Sequence, residues 1–176
     1  GGLTWKETGL SHTNPDFNYS YIRKIIVHPD NSSKIIAAGT RGFWLSEDSG
    51  QNWSYILDTL MIVDLKQDKN NPNVLYAASQ WFNQNYSISA IFKSTDFGSN
   101  WTKLDTKIPE ENEVSRSAIA LSPVNSDYLY VVTVKRNTNG LYAVYRSNDA
   151  GISWEKTFSI EDDYNLLGWY EGGQGD

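Results

Sequence analysis

The chain has 176 residues, enough for a hydrophobic core, and its 39% hydrophobic and 14% aromatic content excludes a disordered segment. A formal charge of -6 with no offsetting basic cluster argues against nucleic acid as a partner and against anionic membrane surfaces. The absence of cysteine rules out disulfides and thiolate metal sites, and no apolar run approaches the roughly 20 residues that span a bilayer, so no membrane insertion is expected.

Gly2 and Trp5 open the chain as the truncated end of a motif that returns three times in full. The complete copies are Ser46-x-Asp48-x-Gly50-x-x-Trp53, Ser94-x-Asp96-x-Gly98-x-x-Trp101 and Ser147-x-Asp149-x-Gly151-x-x-Trp154. The tryptophans are spaced 53 − 5 = 48, 101 − 53 = 48 and 154 − 101 = 53 residues apart. That period belongs to repeats of four short strands.

Between the motifs, short β-branched and aromatic runs recur in a fixed order. The first unit predicts strands at 22–27, 34–39, 42–46 and 53–57, the second at 62–65, 74–79, 88–93 and 101–104, and the third at 117–121, 128–134, 141–146 and 154–158. A Pro/Asn/Asp cluster follows the first strand each time: Pro29-Asp30-Asn31, residues 68–73, and Pro123-Val124-Asn125. Such residues turn the chain and cannot continue a central strand. No helical stripe is present. The expected fold is all-β, a β-propeller fragment of about three four-stranded antiparallel blades.

Each motif falls where a third strand turns into a fourth. Aspartate accepts amide hydrogens of its own turn, serine bonds the same loop, and glycine takes a conformation that side chains forbid. The tryptophan then opens the last strand and buries its ring between blades. Asp48, Asp96 and Asp149 are therefore expected to be structural. A calcium loop needs more alternating oxygen ligands and a closing glutamate, so no metal and no cofactor is expected.

These motifs resemble the Asp-box, or BNR, repeats of sialidases, of sortilin-type receptor propellers and of xyloglucan-active Asp-box glycosidases. The resemblance covers nearly the whole chain, to about residue 160. It implies boxes on the outer rim, away from the ligand site. Sialidase-like catalysis would require an Arg-Ile-Pro motif, whereas Arg23 is followed by Lys24 and Ile25 with no proline. The xyloglucan-active relatives use two aspartates in inter-blade loops, and neither matches a motif of this sequence. No catalytic residue is assigned.

In propellers the first strand of each blade lines the central channel. Arg23, Asp64 and Arg116 fall in or just before first strands and are possible ligand contacts, with a salt-bridged channel wall as the plainer expectation. Trp81, Phe82 and Tyr86 sit in an Asn/Gln-rich connection that suits sugar stacking or a loop folded over its own blade. Trp169 and Tyr170 lie in a Gly-rich stretch, 161–176, expected to be a connector toward a missing blade. His12 and His28 lack an acidic partner at ligand spacing, and Trp44 is expected to pack between blades. Asn-x-Ser/Thr triplets at Asn18, Asn31, Asn52, Asn85 and Asn100 are expected from an Asn/Ser-rich composition alone.

The expected partners are the remaining blades of a parent protein, with a glycan or peptide as ligand. The leading functional expectation is a non-catalytic propeller segment, secreted or on a bacterial cell surface, that binds protein or glycan. The alternatives are part of a glycoside hydrolase and a structural spacer of a large surface adhesin.

Overall fold

The computed structural model describes residues 2–10, 20–57, 60–80, 88–109, 113–159 and 167. Twelve strands form among them: β1 (Ile22–His28), β2 (Asn31–Gly39), β3 (Gly42–Ser46), β4 (Ser54–Ile56), β5 (Met61–Gln67), β6 (Leu75–Gln80), β7 (Ile91–Ser94), β8 (Thr102–Lys103), β9 (Val114–Leu121), β10 (Leu129–Lys135), β11 (Leu141–Ser147) and β12 (Glu155–Ser159). They make three four-stranded antiparallel sheets, each a meander in chain order. No helix occurs among the described residues. The all-β architecture of three four-stranded units is the one the sequence predicts.

Several boundaries differ from expectation: β7 starts at Ile91 and not at 88, and the other shifts have local reasons. Strand β2 starts at Asn31 because His28 pairs directly with Asn31 across a two-residue Pro29-Asp30 turn. Strand β9 starts at Val114 because Val114 and Arg116 pair with Lys135 and Val134. The motif tryptophans precede their strands instead of opening them. Each indole Nε1–H reaches back to the turn glycine carbonyl, Trp53 to Gly50 at 3.0 Å, Trp101 to Gly98 at 3.0 Å and Trp154 to Gly151 at 3.1 Å.

The sheets pack face to face through period-two alternation. Ile36, Ala38, Phe43 and Leu45 of the first sheet meet Ile62, Leu65, Leu75, Ala77 and Phe92 of the second. Val63, Tyr76, Ala78 and Ile91 on the second sheet's other face meet Ile119, Leu129, Val131, Tyr145 and Trp154. Each fully buried aliphatic side chain contributes about 1.5–3 kcal/mol and each net hydrogen bond about 1 kcal/mol, so apolar contact dominates these interfaces. Strand β5 lies beside β1, β2 and β3, and β9 lies against β5 and β6, so the first strands are neighbours at the inner edge.

Trp44 does not join either interface. It stacks on Tyr55 of its own sheet with centroids 5.1 Å apart, and the register places it with Ile25 and Ala37 on the face turned away from the second sheet.

Candidate functional site

The three complete motifs have one geometry. Ser46 Oγ donates to Asp48 Oδ1 at 2.9 Å and accepts Gly50 N–H at 2.9 Å, and Asp48 Oδ1 also accepts Asn52 N–H at 2.8 Å. The second copy matches it with Ser94 to Asp96 at 2.8 Å, Gly98 N–H to Ser94 at 2.8 Å and Asn100 N–H to Asp96 at 2.9 Å. The third does so with Ser147 to Asp149 at 2.8 Å, Gly151 N–H to Ser147 at 2.9 Å and Ser153 N–H to Asp149 at 2.8 Å. Each second carboxylate oxygen is occupied as well, by the side chains of Asn52, Asn100 and Ser153. Two of the five Asn-x-Ser/Thr amides are thus committed to their own turns.

Donors directed at an anion favour the ionised form. The Ser153 hydroxyl and amide, with Ser147, lower the Asp149 pKa to about 2. The Asn52 amide and side chain hold Asp48 below its ordinary value. For Asp96, burial opposes the shift, but the Asn100 donors outweigh it and the net direction is down. A carboxylate ionised so far below neutrality is a poor proton donor.

The first strands repeat an irregularity that positions the inner edge. Arg23, Val63 and Ser115 are each an extra, unpaired residue between Ile22 and Lys24, Ile62 and Asp64, and Val114 and Arg116. A bulge of this kind turns two successive side chains toward the same side. The equivalent row is therefore Lys24, Asp64 and Arg116, and Arg23 is not part of it. Arg23 is exposed and Arg116 half-buried, and neither is brought to Asp64.

Asp64 is 6% exposed and spans three sheets. Its Oδ1 lies 3.7 Å from Lys24 Nζ and 3.4 Å from Lys66 Nζ, and its Oδ2 accepts Ile119 N–H at 2.9 Å. Sequence reading missed Lys24 and Lys66. The signal for Lys24 was present, since it stands two residues after Ile22 as Asp64 follows Ile62 and Arg116 follows Val114.

A groove of about 320 Å³ opens beside this clamp, between the end of β5 and the end of β9. Lys66, Gln67 and Lys69 form one wall, and Ile119, Ala120, Leu121, Ser122 and Pro123 the other. Its size falls within the range of small-ligand pockets, about 300–1,000 Å³. Inter-sheet hydrogen bonds beneath it fix its shape: Ser126 Oγ to Asp68 Oδ1 at 2.7 Å and Asn70 Nδ2 to Ser126 Oγ at 3.0 Å. The groove opens at the end of the sheets that carries the repeated turns, whereas the resemblance implied a ligand site away from them.

His28 is structural, with its ring edge-on to Phe97 at 4.8 Å and its Nδ1 accepting Asp30 N–H. Trp81, Phe82, Tyr86, Trp169 and Tyr170 lie outside the described residues. Among the described residues no cluster of three potential metal ligands occurs, and no helix is long and apolar enough to cross a membrane.

Solved structures with this arrangement include an ancestral GH74 enzyme, at 19% identity and TM-score 0.62, covering 76% of this chain and 18% of that one. The GH74 xyloglucanase from Xanthomonas campestris matches at 18% identity and TM-score 0.59, over 77% of this chain and 21% of its own. A GH74 enzyme from Niastella koreensis matches at 18% identity and TM-score 0.62, over 79% and 22%. The fold is that of a β-propeller segment. The three sheets are thus blades, and the chain spans about a fifth of the length of these structures. No protein-family model and no curated protein matches the chain.

Proposed function

We propose that the chain is a non-catalytic segment of a larger, exported Asp-box propeller that binds a carboxylate-bearing glycan in the groove between β5 and β9. The observation that carries this reading is the pairing of a cationic wall, Lys66 and Lys69, with an apolar wall, Ile119 to Pro123. Lysine ammonium groups attract the carboxylate, Gln67 offers an amide to hydroxyls, and the apolar wall accepts a ring face. Lys66 Nζ lies 3.4 Å from Asp64 Oδ1, so Lys69 is the wall's leading contact for an acidic ligand. Asp64 is engaged by two lysines and two backbone amides, which supports a holding role for it and not a general-acid role.

The test is a glycan array with uronate-bearing and neutral oligosaccharides, followed by titration of the hits. Uronate-bearing ligands are expected to bind, more weakly as salt rises. Lys69→Ala is expected to weaken binding about tenfold, the scale of one lost charged contact. Equal binding of neutral and acidic glycans, or no effect of Lys69→Ala, would overturn the reading.

The GH74 neighbours favour a second reading, in which the chain is part of a glycoside hydrolase whose acid and base lie partly on other blades. Release of reducing sugar from xyloglucan by the whole protein would select it.

A further inference from the structure

We propose that residues 2–9 are the outermost strand of a further blade, and that the leading face of β1–β4 takes as its partner the three antiparallel strands this segment completes. The proposal rests on the reading of the chain as part of a larger propeller. It adds which surface receives the next blade and which residues lend that blade a strand.

Two observations identify the segment. Gly2 has φ +83°, as Gly50, Gly98 and Gly151 have +86°, +91° and +91°. A β-carbon at Gly2 would lie 3.8 Å from the Trp5 ring, against 3.5 Å for Gly50 and Trp53 and 3.7 Å for Gly151 and Trp154. The truncated motif thus keeps the second half of the repeated turn. Further along, Thr8 follows Trp5 by three residues, as Leu104 follows Trp101. Thr8 Cγ2 lies 3.6 Å from the β-carbon position of Gly50, where Leu104 packs against Gly151, and Gly9 N–H donates to Gly50 O at 2.9 Å. The segment already holds the place at the first turn that the second blade's outer strand holds at the third turn. Trp5 remains 89% exposed and Leu3 97%.

The receiving face is covered only in part: Ala37 and Trp44 on it are buried, but its first strand stays exposed among the described residues. Ile25 and Val27 are 62% and 49% exposed, whereas their repeat equivalents Leu65 and Ile119, each facing a neighbouring blade, are 3% and 4% exposed. A second copy of this chain does not suit the face. Its outer strand β12 would need the place that Thr8 and Gly9 occupy. Its Arg116, at the position from which Lys24 reaches Asp64, would also meet Lys24. Like charges there repel, so the partner is a further repeat with an acidic residue or none at its matching position.

The chain has no cysteine, so a single introduced thiol reports on this face. Residues 60–96 are joined ahead of Gly1, which rebuilds Ser94-x-Asp96-Gly1-Gly2-x-x-Trp5 as one complete turn and blade. A second chimera carries residues 113–149 with Arg116→Ala instead, which removes the repulsion with Lys24, so that poor folding of one graft does not decide the result. Ile25→Cys is expected to alkylate at least about tenfold more slowly in a chimera than in the natural chain, with Val124→Cys unchanged as the exposed control. Gly2→Val, which forbids the turn, is expected to remove the protection. Equal alkylation of Ile25→Cys in the natural chain and both chimeras would overturn the proposal. So would protection in the natural chain that rises with its own concentration, which would assign the face to a second copy. Glycan binding at the groove is independent of this readout, so failure of either reading is seen separately.

Discussion

Asp64 Oδ2 accepts the amide hydrogen of Ile119 at 2.9 Å, which joins β5 of the second blade to β9 of the third at the inner edge. The other oxygen faces Lys24 of the first blade, so one carboxylate ties three blades. Removing it leaves two buried amide donors, those of Ile119 and Leu65, without this partner. Asp64→Ala is expected to destabilise the fold by about 2–3 kcal/mol, the scale of an orphaned buried group. Asp64→Asn keeps an acceptor for Ile119, gives up the Leu65 N–H that Oδ1 accepts at 3.0 Å and loses the attraction to partly exposed lysines, so a smaller loss of about 1–2 kcal/mol is expected. Urea denaturation of the two variants checks the order; equal losses would mean that the amide contact contributes nothing.

The turn glycines separate strain from crowding. Gly50 and Gly98 share a positive φ, +86° and +91°, which costs a side-chain-bearing residue about 1–2 kcal/mol. At Gly50 a β-carbon meets nothing nearer than 3.5 Å, whereas at Gly98 it collides with Ile36 Cδ1 of the neighbouring blade. Gly98→Ala is therefore expected to cost about 1–3 kcal/mol more than Gly50→Ala, the usual cost of overpacking a core. Ile36→Val is expected to recover part of that excess. Thermal melts of the four proteins, treated as a double-mutant cycle, measure the coupling.

The repeat was legible because its residues answer local needs. Ser46, Asp48 and Gly50 make their turn with atoms of the same eight-residue motif, so their spacing survives in one sequence. The strands were legible for the same reason, as β-branched runs between turn residues. The inner edge was not. The bulges at Arg23, Val63 and Ser115 have no glycine or proline to mark them, and one extra residue sets Lys24 in the row with Asp64 and Arg116. The groove escaped notice because its walls come from strands about 50 residues apart. Lys66 and Pro123 become neighbours only when two blades pack.

Tyr76 offers a spectroscopic reading of the interface between the second and third blades. Its hydroxyl donates to Ala150 O at 3.1 Å, and burial, with Asp68 and Asp127 nearby, raises its pKa to about 12. The unfolded chain ionises this phenol near 10.0, so the contribution to stability is complete below that pH and disappears as pH rises through about 12. Alkaline titration of tyrosinate absorbance should show a late phase that Tyr76→Phe removes. Its persistence in the variant would assign the late phase to another tyrosine.

The acid limb works in the opposite direction and belongs to the turns. Asp149 is held near pKa 2 by Ser153 and Ser147, against 3.8 in the unfolded chain. A depressed folded-state pKa contributes stability that is present above the unfolded value and lost as pH falls through the folded one. The contribution is therefore complete above about pH 4 and gone near pH 2, and because the group is solvent-exposed only its direction is assigned. Asp149→Asn removes the titrating group and keeps a side chain that can accept the Ser147 and Ser153 hydrogens. The difference in Tm between the natural protein and this variant should shrink steadily across that window. A difference that stays constant from pH 5 to pH 2 would show that the carboxylate charge adds nothing to the turn beyond its shape.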